Sequence, residues 1–102
     1  MRRYRIYRYK HALPPLNAKK GVVIQLRNRD YTLIARVDAE NLRAVLDFTQ
    51  HAGWEKHEGV QSALTDEQHL PALKDHDVIE ENLGGPTHYL YRGNLYRAAF
   101  AR

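Results

Sequence analysis

Tyrosine directly followed by arginine is the most distinctive local pattern in the sequence. It occurs at Tyr4-Arg5, Tyr7-Arg8, Tyr91-Arg92 and Tyr96-Arg97. Neighbouring residues of a β-strand point to opposite sides of a sheet, so each pair places a ring on one face and a guanidinium group on the other. Guanidinium groups bind phosphate in bidentate fashion, and exposed tyrosine rings stack on unpaired bases. The structural alternative is that the rings pack a half-buried face and the arginines are solvated.

The pattern predicts a cationic surface to which both ends of the chain contribute. The predicted binding residues are Arg3, Arg5, Arg92 and Arg97 for charge, Tyr7 and Tyr9 for stacking, and His88. The expected partner is a nucleic acid, either RNA or DNA, or an anionic protein surface. If the surface binds phosphates, the affinity should fall steeply with salt, because phosphate binding releases counterions.

Charge is distributed unevenly along the chain, whose formal net charge is +4. Residues 1–36 contain ten basic residues and one acidic residue, whereas residues 37–83 contain three basic and eleven acidic residues. Residues 84–102 contain three arginines and no acid. One interpretation is a cationic binding face separate from an anionic face. The other is that the two halves neutralise each other within one fold.

The residue types that commonly carry catalysis or hold metals form no recognisable signature. The chain has no cysteine, and its six histidines (residues 11, 51, 57, 69, 76 and 88) lack the spacing of a known metal motif. Ser62 is the only serine, and it does not lie in a nucleophile elbow. We therefore expect no cofactor, no metal and a non-enzymatic role. The alternative activity is RNA cleavage through the 2′-hydroxyl, which needs a base, an acid and a cationic clamp of the kind that His, Tyr and Arg supply.

Alternating side chains predict strands in the first third of the chain. Successive side chains of residues 2–10 point to alternate sides of the chain, which predicts a first strand. After a proline-containing loop, residues 21–27 and 31–37 form two further runs. Joined by a short turn, they predict an antiparallel hairpin in which Leu26 faces Leu33 and one face is nearly all apolar.

A helix is predicted to follow these strands. Asp38 is the expected N-cap, because its carboxylate can accept a backbone N–H of the first turn. Leu42 and Val45 then begin a series of apolar residues at helical spacing. Gly53 is the expected left-handed terminator, and Trp54 is expected to fold back onto the last turn.

Residues 65–83 allow two interpretations. A capping box at residues 65–68, or Pro71 as a first helical residue, favours a short second helix. The stretch from Asp77 to Asn82 is alternatively a strand. The sequence does not decide between them.

The carboxyl end predicts a second hairpin. Residues 87–92 and 95–100 flank Gly93-Asn94, a dipeptide typical of two-residue turns. Pairing outward from this turn aligns Tyr91 with Tyr96 and Tyr89 with Ala98 on one aromatic and apolar face.

Together these elements predict a single α+β domain spanning residues 1–102. We expect a mainly antiparallel sheet of about five strands, in the order β-β-β-α-(α)-β-β, with one or two helices packed on one face. Exposed edge strands can pair with those of a second copy, so the sequence also allows a homodimer. The sequence has no apolar run long enough to span a membrane, and no apolar stretch follows its basic start as in a signal peptide, so we expect no membrane partner and a cytoplasmic location.

We therefore expect a small basic binding module whose sheet face contacts nucleic acid through arginine and tyrosine. The first alternative is a protein-interaction regulator or inhibitor, for example an anti-defence factor of a phage or mobile element. Its anionic segment would dock on a basic partner or imitate nucleic acid. The second alternative is a small toxin-like ribonuclease.

Overall fold

A computed structural model describes residues 2–11, 21–63 and 70–101 of the 102-residue chain. Within these ranges the strands are β1 (Arg2–Tyr9), β2 (Ile24–Arg27), β3 (Tyr31–Ala39), β4 (Val60–Ala63), β5 (Val78–Asn82), β6 (Pro86–Tyr91) and β7 (Leu95–Ala101). One α-helix, α1, spans Leu42–Thr49, and 3-10 turns span Asn28–Asp30 and Trp54–Lys56.

The described strands form one mixed sheet in the order β2-β7-β6-β5-β1-β3-β4. Strand β2 is parallel to β7, and all the other neighbours are antiparallel. The described chain is thus a sheet with one helix, in keeping with an α+β class. The prediction of about five antiparallel strands is wrong, because the sheet has seven strands and one parallel pairing.

The sheet is strongly curled. Strands β2 and β3 are joined by only Asn28–Asp30, yet they occupy the first and sixth places in the sheet order. In a flat sheet, five strand spacings of about 4.8 Å would separate them by about 24 Å. Four chain steps span at most about 14 Å. The sheet must therefore curve so that its β2 end approaches β3.

The concave face of the curled sheet is marked by an aromatic contact across it. The rings of Tyr31 on β3 and Phe100 on β7 lie 5.4 Å apart, although their strands are four places apart in the sheet. Around them lies a cluster of buried residues: Ile24, Leu26, Tyr31, Val78, Leu90 and Ala98. This concave cluster explains why β2 is apolar on alternate residues.

The opposite, convex face carries the larger core and the helix. Tyr4, Ile6 and Ile79 are buried there, together with Val45 of α1 and Trp54. The helix begins at Asn41, whose side-chain oxygen accepts a hydrogen bond from the backbone N–H of Ala44 at 2.9 Å. The expectation that Asp38 caps the helix is therefore wrong, because Asp38 is still part of β3.

The predicted fold-back of Trp54 is present. Its ring lies 6.3 Å from that of Phe48 in the last turns of α1. Gly53 has a φ of 80°, the left-handed conformation expected of it. It lies immediately before the second 3-10 turn rather than directly after the helix, which ends at Thr49.

The predicted hairpin between residues 21–27 and 31–37 is wrong. Strand β2 pairs with β7, aligning Ile24 with Ala98, and β3 pairs with β1 and β4. The apolar alternation was interpreted as a sign of mutual pairing. It instead reflects the burial of Ile24 and Leu26 in the concave cluster.

The carboxyl-terminal hairpin is present, but its predicted register is wrong by one residue. Tyr91 pairs with Leu95 and Tyr89 with Arg97, because the turn contains three residues rather than two. In this turn the N–H of Arg92 donates to the carbonyl of Asn94. A shift of one residue exchanges the faces of one strand relative to the other.

Residues 70–82 contain a strand and no helix, so the strand interpretation of Asp77 to Asn82 is confirmed for β5. The alternative first helical residue, Pro71, lies outside any helix or strand. The predicted capping box at residues 65–68 lies outside the described residues. No helix in the described ranges has the length and apolar character needed to cross a membrane.

Candidate anion-binding site

A row of charged side chains crosses the concave face of the sheet. In the register of the strands, Arg36 of β3 lies opposite Arg5 of β1, Arg5 lies opposite Glu80 of β5, and Glu80 lies opposite His88 of β6. Directly paired residues share a face. Four neighbouring strands thus each contribute one polar side chain to a single line.

The arginine end of this row borders a cavity of about 290 Å³. The basic residues Arg3, Arg5 and Arg36 line it together with the acidic residues Asp38 and Glu80. Tyr4, Gln61 and Asn82 complete the lining. We call this cavity the arginine cavity. Three cationic and two anionic side chains leave it with an excess of positive charge.

The ion pairs within the arginine cavity are long. A guanidinium nitrogen of Arg3 lies 4.0 Å from Asp38, and one of Arg5 lies 3.7 Å from Glu80. The Arg3 side chain is 87% exposed, so its pair contributes little stability. Arg36 makes no ion pair with the described residues. The cavity therefore has guanidinium hydrogen-bond donors that are available to an anion.

Glu80 connects the arginine cavity to His88. One of its carboxylate oxygens accepts hydrogen bonds from the Tyr7 hydroxyl at 3.2 Å and from His88 Nε2 at 2.9 Å. We call these three residues the Glu80 network. Burial raises the pKa of Tyr7, and the nearby charge of Glu80 raises it further. The Tyr7 and His88 rings both pack edge-on against Phe100, at 5.4 and 4.6 Å.

Two other arginines of β1 form ion pairs with acids in β5 or directly before it. Arg8 binds the carboxylate of Asp77 through two hydrogen bonds of 2.9 and 3.3 Å, and Asp77 is almost fully buried. Burial raises the pKa of Asp77, although the Arg8 hydrogen bond acts in the opposite direction. Arg2 lies 4.0 Å from Glu81. For this strand, the interpretation that basic and acidic segments neutralise each other agrees with the contacts.

The structure brings together only part of the predicted cationic surface. Arg3 and Arg5 line one cavity, and His88 lies in the same cross-strand row as Arg5. Arg97 pairs with Tyr89, which puts it on the convex face, and its guanidinium carbon lies 5.7 Å from the centre of the Tyr89 ring. Arg92 is exposed in the β6–β7 turn.

The two tyrosines predicted to stack on bases lie on the concave face but are half-buried. The Tyr7 hydroxyl is engaged by Glu80. The Tyr9 ring contacts the rings of Tyr31 and His76 at 5.4 and 5.6 Å. Their rings are thus used within the fold, and phosphate contacts are better supported here than base stacking.

Sequence reasoning missed Arg36 and Glu80 as members of the site. Arg36 belongs to the polar face of β3. Because β3 was assigned to the wrong partner strand, the position of Arg36 beside Arg5 was not expected. Glu80 belongs to the acidic segment of residues 37–83 and was not singled out as a site residue. The sequence feature that indicates Glu80 is the charge complementarity between a basic first strand and an acidic strand.

The described residues contain no group of three or more His, Asp or Glu side chains arranged to hold a metal ion. Comparison with known proteins identifies no relationship: no protein family, no curated protein and no solved structure matches the chain. The assignment of a function therefore depends on the geometry of the site.

Proposed function

We propose that this protein binds nucleic acid, with the phosphate backbone seated in the arginine cavity of the concave face. The observation that supports the proposal is the grouping of Arg3, Arg5 and Arg36 around one open cavity, with Arg5 and Arg36 directly opposed. Like charges in direct opposition across strands are destabilising unless a counter-charge lies between them. A phosphate group is such a counter-charge, and guanidinium groups match its geometry.

The proposal is for backbone recognition with little sequence preference. Phosphate contacts position a nucleic acid and carry no sequence information. The amide side chains of Gln61 and Asn82 also line the cavity and can bond to a sugar or a base edge. A cytoplasmic location is compatible with this role and stays a prediction, as does pairing of two copies through their strand edges.

The test is a binding titration of the whole protein with a fluorescently labelled single-stranded RNA over a range of salt concentrations. We expect the double substitution Arg5→Ala and Arg36→Ala to weaken binding about tenfold or more, since one hydrogen bond to a charged group contributes about 1.5–3 kcal/mol. The slope of log affinity against log salt should fall by about 0.7 for each lost phosphate contact.

Arg43→Ala is the matched control. Arg43 lies on α1, its side chain is 80% exposed, and its ion pair is with Asp47 one helical turn away. It removes one positive charge, compared with two in the double variant, and does not touch the arginine cavity. Equal losses for Arg43→Ala and for the cavity variants, or an affinity that does not change with salt, would refute the proposal.

A protein-interaction regulator is the second candidate, and one observation favours it. A cavity of about 560 Å³ near the β4 edge is lined by the acids Asp38, Glu40 and Glu58. It also includes the stacked rings of Phe48 and His57, 4.2 Å apart. A basic protein partner would fit this anionic surface. Capture of a stoichiometric partner that is released by Glu40→Lys and Glu58→Lys, with RNA affinity unchanged, would support this candidate over the first.

A further inference from the structure

We propose that the Glu80 network is a proton-transfer site that cleaves the RNA bound in the arginine cavity, with His88 as the general base. The inference rests on the proposed function, because it needs a phosphodiester held by Arg5 and Arg36. It departs from the expectation of a non-enzymatic module. The substrate class is single-stranded RNA, and the reaction is attack of a 2′-hydroxyl on its own 3′-phosphate.

The first support is the position of His88 relative to the arginine cavity. His88 and Arg5 are both paired with Glu80 in the register, so they lie two strands apart on one face. Two strand spacings are about 10 Å at the backbone. The long Arg5 side chain and the imidazole ring can therefore reach the same phosphodiester, one at its oxygens and the other at the adjacent ribose.

The second support is the orientation of the imidazole ring. An ionised carboxylate only accepts hydrogen bonds, so the contact with Glu80 places the proton of neutral His88 on Nε2. The other ring nitrogen, Nδ1, is then a free acceptor. The edge-on contact with Phe100 at 4.6 Å fixes the plane of the ring, and 12% of the side-chain surface is exposed. A carboxylate that holds a histidine in one tautomer is the arrangement a histidine base requires.

The reaction balances without a metal or a redox partner. His88 Nδ1 takes the proton of the 2′-hydroxyl, the 2′-oxygen forms a bond to phosphorus, and the bond from phosphorus to the 5′-oxygen breaks. Water protonates the leaving 5′-oxygen, and the resulting hydroxide accepts the proton held by His88. The products are a 2′,3′-cyclic phosphate and a 5′-hydroxyl. Arg5 and Arg36 stabilise the extra negative charge on the phosphoryl oxygens of the transition state.

Glu80 and Tyr7 are positioning residues in this scheme. Glu80 holds the histidine tautomer, and the Tyr7 hydroxyl donates to the same carboxylate oxygen that His88 contacts. Tyr7→Phe keeps the ring against Phe100 and removes only the hydroxyl. We expect this variant to lower kcat severalfold and to change KM less, because it loosens the acid–base pair and leaves every side chain that lines the arginine cavity in place.

The deciding experiment follows cleavage of a labelled single-stranded RNA by the purified protein alongside His88→Gln and His88→Ala, all prepared in parallel. A general base contributes about 10²–10⁴ to a rate. We therefore expect at least a hundredfold loss in both variants, a 2′,3′-cyclic phosphate product, and partial recovery of His88→Ala by added imidazole. Circular dichroism and urea unfolding identify a variant that does not fold, and imidazole recovery is a signal that a purely structural histidine does not give.

Binding is measured separately with the same RNA carrying 2′-O-methyl groups, which cannot react. Binding of this RNA without any cleavage of the unmodified RNA would refute the catalytic inference and leave the proposed function standing. Absence of both binding and cleavage would refute the two together. Cleavage that is equally fast in His88→Gln would show that another group, or a contaminant, carries the activity.

Discussion

Arg5 and Arg36 lie directly opposite each other across the antiparallel strands β1 and β3. Arg5 has a compensating carboxylate, Glu80, at 3.7 Å, whereas Arg36 has no ion pair among the described residues. Like charges in this position repel each other and cost stability. Keeping this pair on an open face therefore lowers the stability of the sheet and concentrates positive charge there.

This relationship predicts that Arg36→Gln stabilises the free protein while weakening RNA binding. Removing one of two opposed charges should raise the free energy of unfolding by up to about 1 kcal/mol. The gain should shrink at high salt, because exposed charges are screened. Urea unfolding at low and high salt measures the effect, since urea itself adds no ions.

Arg36→Lys is the control for this prediction. It keeps the charge and should keep most of the repulsion, but it loses the bidentate geometry that suits phosphate. We expect little change in unfolding and an intermediate loss of RNA affinity. If Arg36→Gln is destabilising in the absence of RNA, the guanidinium groups of Arg5 and Arg36 do not repel each other in the folded protein.

The sequence predicts the faces of the strands better than it predicts their partners. The alternation in residues 2–10 indicated β1, in which Tyr4 and Ile6 are buried. The helix was identified because the spacing of its apolar residues is a local property, although its N-cap is Asn41 and not the expected Asp38. The partner of β2 was not, since its parallel pairing joins Ile24 to Ala98 across most of the chain. A local pattern contains no information on such a distant contact.

The candidate site was predicted only in part for the same reason. Arg3, Arg5 and His88 were identified from residue type, but their grouping with Arg36 and Glu80 depends on the order of four strands. Arg97 was expected on the same face, and a one-residue difference in the β6–β7 register puts it on the other. That these residues bind an anion stays a prediction.

The buried pair between Arg8 and Asp77 predicts a large stability effect. Arg8→Met leaves the Asp77 carboxylate buried, with 2% of its side chain exposed and, among the residues that the structure describes, only the backbone N–H of Lys74 as a remaining donor. Breaking one partner of a buried pair costs about 3–5 kcal/mol. Arg43→Met, which removes an exposed pair with Asp47, should cost at most about 1 kcal/mol. Urea unfolding at pH 7 compares them.

The cost of Arg8→Met should fall as the pH is lowered from 7 towards 4. Burial already raises the pKa of Asp77, and removing the Arg8 hydrogen bond raises it further. The folded variant then binds a proton at a higher pH than the unfolded chain does, so acid stabilises the variant relative to the parent. A difference that stays constant or grows on acidification would contradict the assignment to Asp77.

The hydroxyl group of Tyr4 is expected to ionise at a higher pH than an exposed tyrosine. Burial and its 2.8 Å hydrogen bond to Glu81 raise the pKa of Tyr4 to about 12. Because the folded pKa is the higher one, the stabilisation is complete below pH 10 and is lost as the pH rises through about 12. Absorbance at 295 nm should therefore show this tyrosine ionising late, and the urea midpoint should fall steeply above pH 10.

Tyr4→Phe should remove one tyrosine from the late-ionising group and leave Tyr7 and Tyr31, whose pKa values burial also raises. It should also cost about 1–3 kcal/mol at neutral pH, because Glu81 loses a buried partner. Tyr89→Phe is the matched control, since the Tyr89 hydroxyl makes no hydrogen bond with the described residues. An alkaline titration that is unchanged by Tyr4→Phe but altered by Tyr89→Phe would show that the wrong hydroxyl had been identified.

The close approach of β3 to the turn before β4 predicts that Gly59 cannot be replaced freely. A Cβ atom at this position would lie 2.5 Å from the carbonyl oxygen of Asp38, while the N–H of Asp38 donates to the carbonyl of Gly59 at 2.7 Å. Gly59→Ala must therefore separate two hydrogen-bonded backbones, and overpacking of this kind costs about 1–3 kcal/mol. Glu58→Ala, an exposed neighbour, should change stability by less than about 0.5 kcal/mol.

The same substitution also tests whether the backbone of β3 supports the arginine cavity. Asp38 and Gln61 line that cavity from the two strands that Gly59 brings together. A shift of β4 away from β3 should weaken RNA binding as well as stability, although Gly59 itself has no side chain to contribute. RNA affinity measured well below the unfolding midpoint of Gly59→Ala distinguishes this from simple loss of folded protein. Unchanged affinity in the folded variant would show that phosphate binding does not depend on the position of β4.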